Sequence, residues 1–122
     1  MSLRVLAVDD SFTMRELLRY VLTEAGFDVE TAEDGQAAVE MLPEAAPDVI
    51  VTDINMPRMD GFGFIEAVRG GAHSNRAPIL VLSTEDADSM KQRARRIGAT
   101  GWIVKPFNET SLIAAIRRVA AW

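Results

Sequence analysis

The sequence predicts an α/β fold: a five-stranded parallel sheet with helices on both faces. Three observations carry this expectation. Short apolar runs alternate with amphipathic segments along the whole chain, three of the amphipathic segments stop at glycine, and chemically reactive residue types follow the apolar runs at their C-terminal ends. Strands buried on both faces read as unbroken apolar runs, and helices supply the crossovers between parallel neighbours. Right-handed crossovers make a doubly wound sheet the economical topology. The strand order does not follow from the pattern.

The elements follow in order. Leu3 to Val8 ("LRVLAV") is short and apolar, as a buried strand is. Met14, Leu17, Leu18, Val21, Leu22 and Ala25 recur at helical spacing and predict a one-faced helix stopped by Gly26. "FDVETA" is a second, weaker strand. Ala38, Met41, Leu42 and Ala45 mark a second helix, which Pro43 is expected to kink or interrupt. "DVIVT" is the third strand, and Phe64, Ile65 and Val68 face a third helix ending at Gly70-Gly71. The loop "GAHSNRAP" leads to the fourth strand, "ILVL". A polar helix spans about Asp86 to Ile97 before Gly98. "GWIV" is the fifth strand, and Leu112, Ile113, Ile116 and Val119 build a last helix that Asn108 can cap.

The 122 residues predict one domain, 1–122, large enough to fold without disulfides or a structural metal. There is no cysteine, hence no thiol chemistry. A net charge of −5 argues against general nucleic-acid binding, which needs a basic face. The one basic cluster, "KQRARR" at Lys91 to Arg96, reads as the solvated side of a helix. No apolar run approaches the roughly 20 residues of a membrane span, and the N-terminus lacks a signal-peptide layout. We therefore expect a cytoplasmic protein that binds neither membrane nor nucleic acid.

The informative regularity lies at the strand ends. Strand one runs into Asp9-Asp10, strand three into Asp53, strand four into Ser83-Thr84-Glu85 and strand five into Lys105-Pro106. In a parallel sheet all these ends share one edge, where ligands bind. Each residue also has an ordinary reading: Asp10 or Ser11 as a helix cap, Ser83 or Thr84 as a turn hydroxyl, Lys105 as a lysine snorkelling to water, Asp53 as a turn former. Their conjunction on one edge is what a turn or cap does not explain. Clustered carboxylates repel unless a cation joins them, and Mg²⁺ prefers such oxygen ligands. A carboxylate can attack phosphorus, and phosphoryl transfer asks chiefly for positioning and charge neutralisation. Lys105 and Ser83 can each meet a phosphoryl oxygen. There is no Walker sequence, and the sole histidine, His73, sits in a Gly/Ser/Asn loop read as exposed. A Ser-His-Asp hydrolase or a histidine-ligated zinc site is therefore unsupported.

The ordered set "VLAVDDSFTMRELL", "AEDGQAAVEML", "DVIVTDINMPRMDGFGFI", "PILVLSTED" and "GATGWIVKPFN" resembles a response-regulator receiver domain of two-component signalling over essentially the whole chain. Within that family it resembles stand-alone chemotaxis regulators of the CheY type. The resemblance implies a flavodoxin-like sheet of order 2-1-3-4-5; the chemotaxis member is itself a standard example of that order. It implies that Asp53 is the phosphoacceptor, taking its phosphoryl group from a histidine kinase (CheA-like) or a phosphotransfer protein. Asp10, Asp53 and the Asn55 backbone carbonyl match the Mg²⁺ ligands (Mn²⁺ being an alternative), with Asp9 holding a metal-bound water. Ser83 matches the switch hydroxyl, Lys105 the phosphate-contacting lysine, Trp102 the rotating aromatic, and Pro106 a proline that the family holds in cis. Asn55, Thr84 and Glu85 occupy positions that tune phosphoryl lifetime, and Thr84 is larger than the alanine common there.

The resemblance implies a phosphorylation-activated switch rather than a conventional enzyme, although it promotes its own phosphotransfer and autodephosphorylation. Its downstream target would be a protein such as a flagellar switch component. The end at Trp122, directly after the fifth helix, is expected to leave no room for an output domain. The rival reading is an aspartate-nucleophile phosphatase resembling the haloacid dehalogenase group. Such enzymes carry Asp-x-Asp after strand one, where this chain has Asp9-Asp10-Ser11.

Overall fold

The computed structural model describes residues 2–71 and 75–120. His73 and Trp122 lie outside the described residues. Ten elements alternate: β1 (Arg4–Val8), α1 (Phe12–Glu24), β2 (Asp28–Ala32), α2 (Gly35–Ala45), β3 (Val49–Thr52), α3 (Gly61–Gly70), β4 (Ile79–Ser83), α4 (Asp88–Arg96), β5 (Gly101–Val104) and α5 (Glu109–Ala120). All strand pairings are parallel, in the order β2-β1-β3-β4-β5. This is the flavodoxin-like order, and it puts a switch in strand direction of travel between β1 and β3.

Alternate strand residues face opposite sides, so the sheet feeds two cores. Leu6, Val8, Ile50, Ile79 and Val81 meet Ala38 and Leu42 of α2, Phe64, Ile65 and Val68 of α3, and Ala94 of α4. On the other face Val5, Ala7, Val49, Val51, Leu80 and Leu82 meet Leu18, Val21 and Leu22 of α1 and Leu112, Ile116 and Ala120 of α5. Burial of this apolar surface, at about 25 cal/mol per Å², is the main force holding the strand ends in register.

Local signals act as their chemistry dictates. The Ser11 hydroxyl caps α1 by accepting the Met14 N–H, and Asn108 does the same for Ser111 in α5. Asp34 caps α2 through Ala37, so that helix begins three residues before the first apolar position read from the sequence. The α4 helix starts at Asp88 rather than Asp86. Within "KQRARR", Ala94 faces the core while Gln92, Arg93, Arg95 and Arg96 are exposed, and the Arg93 guanidinium lies 3.9 Å from the centre of the Phe62 ring.

Pro43 departs from expectation. The α2 helix runs through it to Ala45 without interruption. Proline removes one N–H, whose acceptor would be four residues back, and here only two helical residues remain beyond it. The helix then ends at Ala46, in the left-handed region at φ 41°, with the Ala46 N–H donating to the Leu42 carbonyl.

Candidate functional site

Three of the predicted residues stand one position beyond a strand, yet ladder hydrogen bonds still fix their backbones. The Asp9 N–H donates to the Ala32 carbonyl, the Asp53 N–H to the Val8 carbonyl, and the Lys105 N–H to the Ser83 carbonyl. Asp9, Asp53 and Lys105 are thereby aligned along the C-terminal edge of the sheet. Arg15 of α1 adds a lock that sequence reasoning missed: it donates to the Asp9 carbonyl at 2.8 Å.

The side chains converge. The Lys105 ammonium donates to Asp9 Oδ2 at 2.7 Å and to Asp53 Oδ2 at 2.8 Å, although these residues lie 96 and 52 positions away. The remaining oxygens take backbone donors: Ser11 N–H on Asp9 Oδ1 and Ile54 N–H on Asp53 Oδ1. Asp9 and Asp53 are buried, at 2% and 9% exposure, and Asp10 is exposed. Burial alone would lower the Lys105 pKa. The hydrogen bonds and charges of Asp53 and Asp9 outweigh it and hold the ammonium above its ordinary value. Lys105 therefore does not snorkel; its charge is spent between two carboxylates.

One carboxylate oxygen from each of Asp9, Asp10 and Asp53 lies within 4.8 Å of the others. Three carboxylates facing one ammonium leave a net negative pocket, and every donor is oxygen. That chemistry fits a hard divalent cation. The site can thus hold a metal beside a carboxylate and a lysine, the parts needed to neutralise a phosphoryl group.

The fourth strand end behaves differently. Ser83 is fully buried, and its hydroxyl accepts the Glu85 N–H at 3.2 Å, so at rest it is a turn hydroxyl. Glu85 collects two further contacts. Its carbonyl accepts the Trp102 indole N–H at 2.9 Å, and its carboxylate accepts from the Asn55 side chain at 3.2 Å. Trp102 is half-buried and packs against the α2–α3–α4 core. Thr84 is exposed, and the Lys105–Pro106 peptide is cis. The position of Glu85 was legible from the motif; its role as common acceptor for Trp102 was not, because the acceptor is a backbone carbonyl.

A second group missed by sequence reasoning flanks the β3–α3 loop. Arg58, at φ 65°, donates through Nε to Asp34 Oδ2 at 2.7 Å. The Ala37 N–H holds the Asp34 carboxyl below its ordinary value. Burial pushes it upward, and Arg58 adds to the lowering. A cavity of about 310 Å³ lies elsewhere, beside Arg4, Asp28 and Glu44 at the N-terminal end of the sheet. No helix among the described residues is long and apolar enough to cross a membrane.

Comparison with known proteins agrees with this geometry. The family described as "Response regulator receiver domain" matches residues 5–117. The Rhizobium etli protein named "Probable chemotaxis protein CheY" is 36% identical over 118 residues, covering 96% of this chain and 92% of that protein. The response regulator MprA of Mycobacterium tuberculosis is 39% identical over 117 residues, and the chain spans 50% of its length. Among solved structures, the chemotaxis protein CheY4 of Vibrio cholerae superimposes with a TM-score of 0.91 at 45% identity, covering 98% of this chain and 99% of that one.

Proposed function

The chain belongs to the response-regulator receiver domain family, and from that premise we propose that it is a phosphorylation-operated binding switch of the CheY type. Asp53 accepts a phosphoryl group from the phosphohistidine of a histidine kinase (CheA-like) or a phosphotransfer protein. An Asp53 carboxylate oxygen forms the bond to phosphorus as the phosphorus–nitrogen bond breaks, and the imidazole leaves with the electron pair. The observation that carries this reading is the Lys105 ammonium seated between Asp9 and Asp53, with Asp10 alongside.

Asp10, Asp53 and the Asn55 backbone carbonyl, with Asp9 behind them, would hold Mg²⁺ (or Mn²⁺). When bound, the cation neutralises charge on the transferring group. The chain's own residues do the rest. Lys105 exchanges one carboxylate oxygen for a phosphoryl oxygen, acting as a compact point charge. The Ser83 proton is not committed among the described hydrogen bonds, so the hydroxyl is free to donate to another phosphoryl oxygen. Asn55, Thr84 and Glu85 rim the site, where they tune the lifetime of the acyl phosphate.

Phosphorylation adds about −1.5 to −2 charge and three acceptor oxygens at this edge. Pulling Ser83 inward loosens its contact with the Glu85 N–H, while Trp102 is tied to the Glu85 carbonyl. The switch thus passes from Ser83 through Glu85 to Trp102 and alters the α4–β5–α5 surface. That surface binds a downstream protein such as a flagellar switch component, in the cytoplasm where kinases draw on ATP. The protein is a signalling module rather than a conventional enzyme, though it assists its own phosphotransfer and autodephosphorylation. Intact-mass detection tests the reading. A small phosphodonor with Mg²⁺ should add one phosphoryl group to the wild type and none to Asp53→Asn or to wild type in chelator. Wild type unlabelled by both a competent kinase and a small donor would overturn it.

A further inference from the structure

We propose that Arg58 is a positioning residue for the metal-holding loop: locked onto Asp34, its guanidinium sets where residues 54–60, and with them Asn55, stand beside Asp53. The inference rests on the reading of the Asp9–Asp10–Asp53 cluster as a cation site and deepens it.

The loop is anchored at two ends. At its inner end the Ile54 N–H donates to Asp53 Oδ1 and the Ile54 carbonyl accepts the Gly61 N–H at 2.7 Å, while the Ile54 side chain is buried. At its outer end the Arg58 guanidinium grips Asp34 Oδ2, and the Met59 carbonyl accepts the Gly35 N–H at 3.2 Å. A Cβ on Gly35 would stand 2.7 Å from that carbonyl, so loop and helix approach as closely as a glycine permits. Exposed Asn55 and Pro57 lie between the anchors.

Arg58 occupies the left-handed region, which L side chains disfavour and glycine or asparagine tolerate. Its side chain supplies the compensation. The Asp34 Oδ1 is committed to capping α2, and its Oδ2 is covered by the Arg58 guanidinium, whose side chain is itself 60% exposed, so that water takes its place when it is removed. The pair thus ties the loop carrying a metal-ligand position to a helix N-terminus 24 residues earlier.

The sign of the effect separates position from charge. Removing a cation from this acidic face would by itself tighten cation binding. The clamp predicts the opposite. Mn²⁺ titration followed by paramagnetic resonance should show about tenfold weaker affinity for Arg58→Gly, the lower end expected of residues that orient ligands. Thermal stability should hold, because glycine relieves the backbone. Amide exchange at residues 55–59 of the metal-free protein should accelerate. Arg58→Asn, which also tolerates this backbone, is the second variant. Asp34→Asn keeps a cap and should weaken Mn²⁺ on its own, yet add little in the Arg58→Gly background. Unchanged or tighter Mn²⁺ binding in both Arg58 variants would overturn the inference, as would losses that simply add. Wild type that takes up no Mn²⁺ would overturn the proposed function instead; exchange at 55–59 would then still decide whether Arg58 sets the loop.

Discussion

Lys105→Met isolates the charge balance of the site. Methionine keeps the apolar stem and deletes the ammonium. In wild type without divalent cation, that ammonium is the only cationic group among the described residues that pairs with the side-chain carboxylates of Asp9 and Asp53, at 2.7 and 2.8 Å. The side chains of Lys105, Asp9 and Asp53 are 10%, 2% and 12% exposed. Removing one partner of a buried pair costs about 3–5 kcal/mol, and the open edge of the pocket puts this case at the lower end, about 3 kcal/mol. The repulsion left behind has the same size: two unit charges 4.8 Å apart interact by about 3.5 kcal/mol at an effective dielectric near 20. With a urea m-value of about 2 kcal/mol/M, the unfolding midpoint in chelator should fall by about 1.5 M. Saturating Mg²⁺ should recover more stability in the variant than in wild type, since it replaces the missing charge. The Lys105 pKa is raised, so its contribution is complete below the ordinary lysine value of about 10.4 and is lost only as pH climbs through the raised value. The gap between variant and wild type should therefore be flat from about pH 6 to 9. An unchanged or higher midpoint in chelator, or a loss indifferent to Mg²⁺, would refute the reasoning.

Other consequences follow from the same contacts. Asp34 has a lowered folded-state pKa, so its stabilisation is present above the unfolded value of about 3.9 and fades as pH falls through the folded one; the stability gap between wild type and Asp34→Asn should narrow in that acid window, measured by urea melts. Gly35→Ala forces a methyl against the Met59 carbonyl and should cost about 1–3 kcal/mol, unlike alanine at Gly70, where a Cβ meets nothing within 4 Å. In a Trp122→Phe background, Mg²⁺ with a small phosphodonor or beryllium fluoride should quench Trp102 fluorescence, because the indole leaves its present environment at the Glu85 carbonyl. A steady spectrum despite confirmed modification would remove Trp102 from the switch and leave the phosphoacceptor in place.

Much of this site could be read from the chain because a parallel sheet imposes a rule: whatever follows a buried strand lies on one edge. Asp9, Asp53, Ser83 and Lys105 are adjacent in space for that reason, and the apolar runs preceding them are unmistakable. The order 2-1-3-4-5 came from family resemblance, since periodicity carries no information on which strands are neighbours. The Arg58–Asp34 clamp was illegible for the same cause. It depends on the α2 N-terminus lying beside the β3–α3 loop, and an arginine inside "MPRMDG" reads as a surface residue of a turn. Pro43 shows the opposite limit, a strong local signal whose effect depends on how few helical residues remain beyond it.

The central claim is that Asp53, among three carboxylates within 4.8 Å, is the one that takes the phosphoryl group. Borohydride reduction of the phosphorylated protein converts an acyl phosphate to a homoserine side chain, which peptide sequencing by mass spectrometry then locates. The account predicts homoserine at position 53 alone, dependent on Mg²⁺ during labelling. Homoserine at position 9 or 10, or none in a protein that carries phosphate, would contradict it.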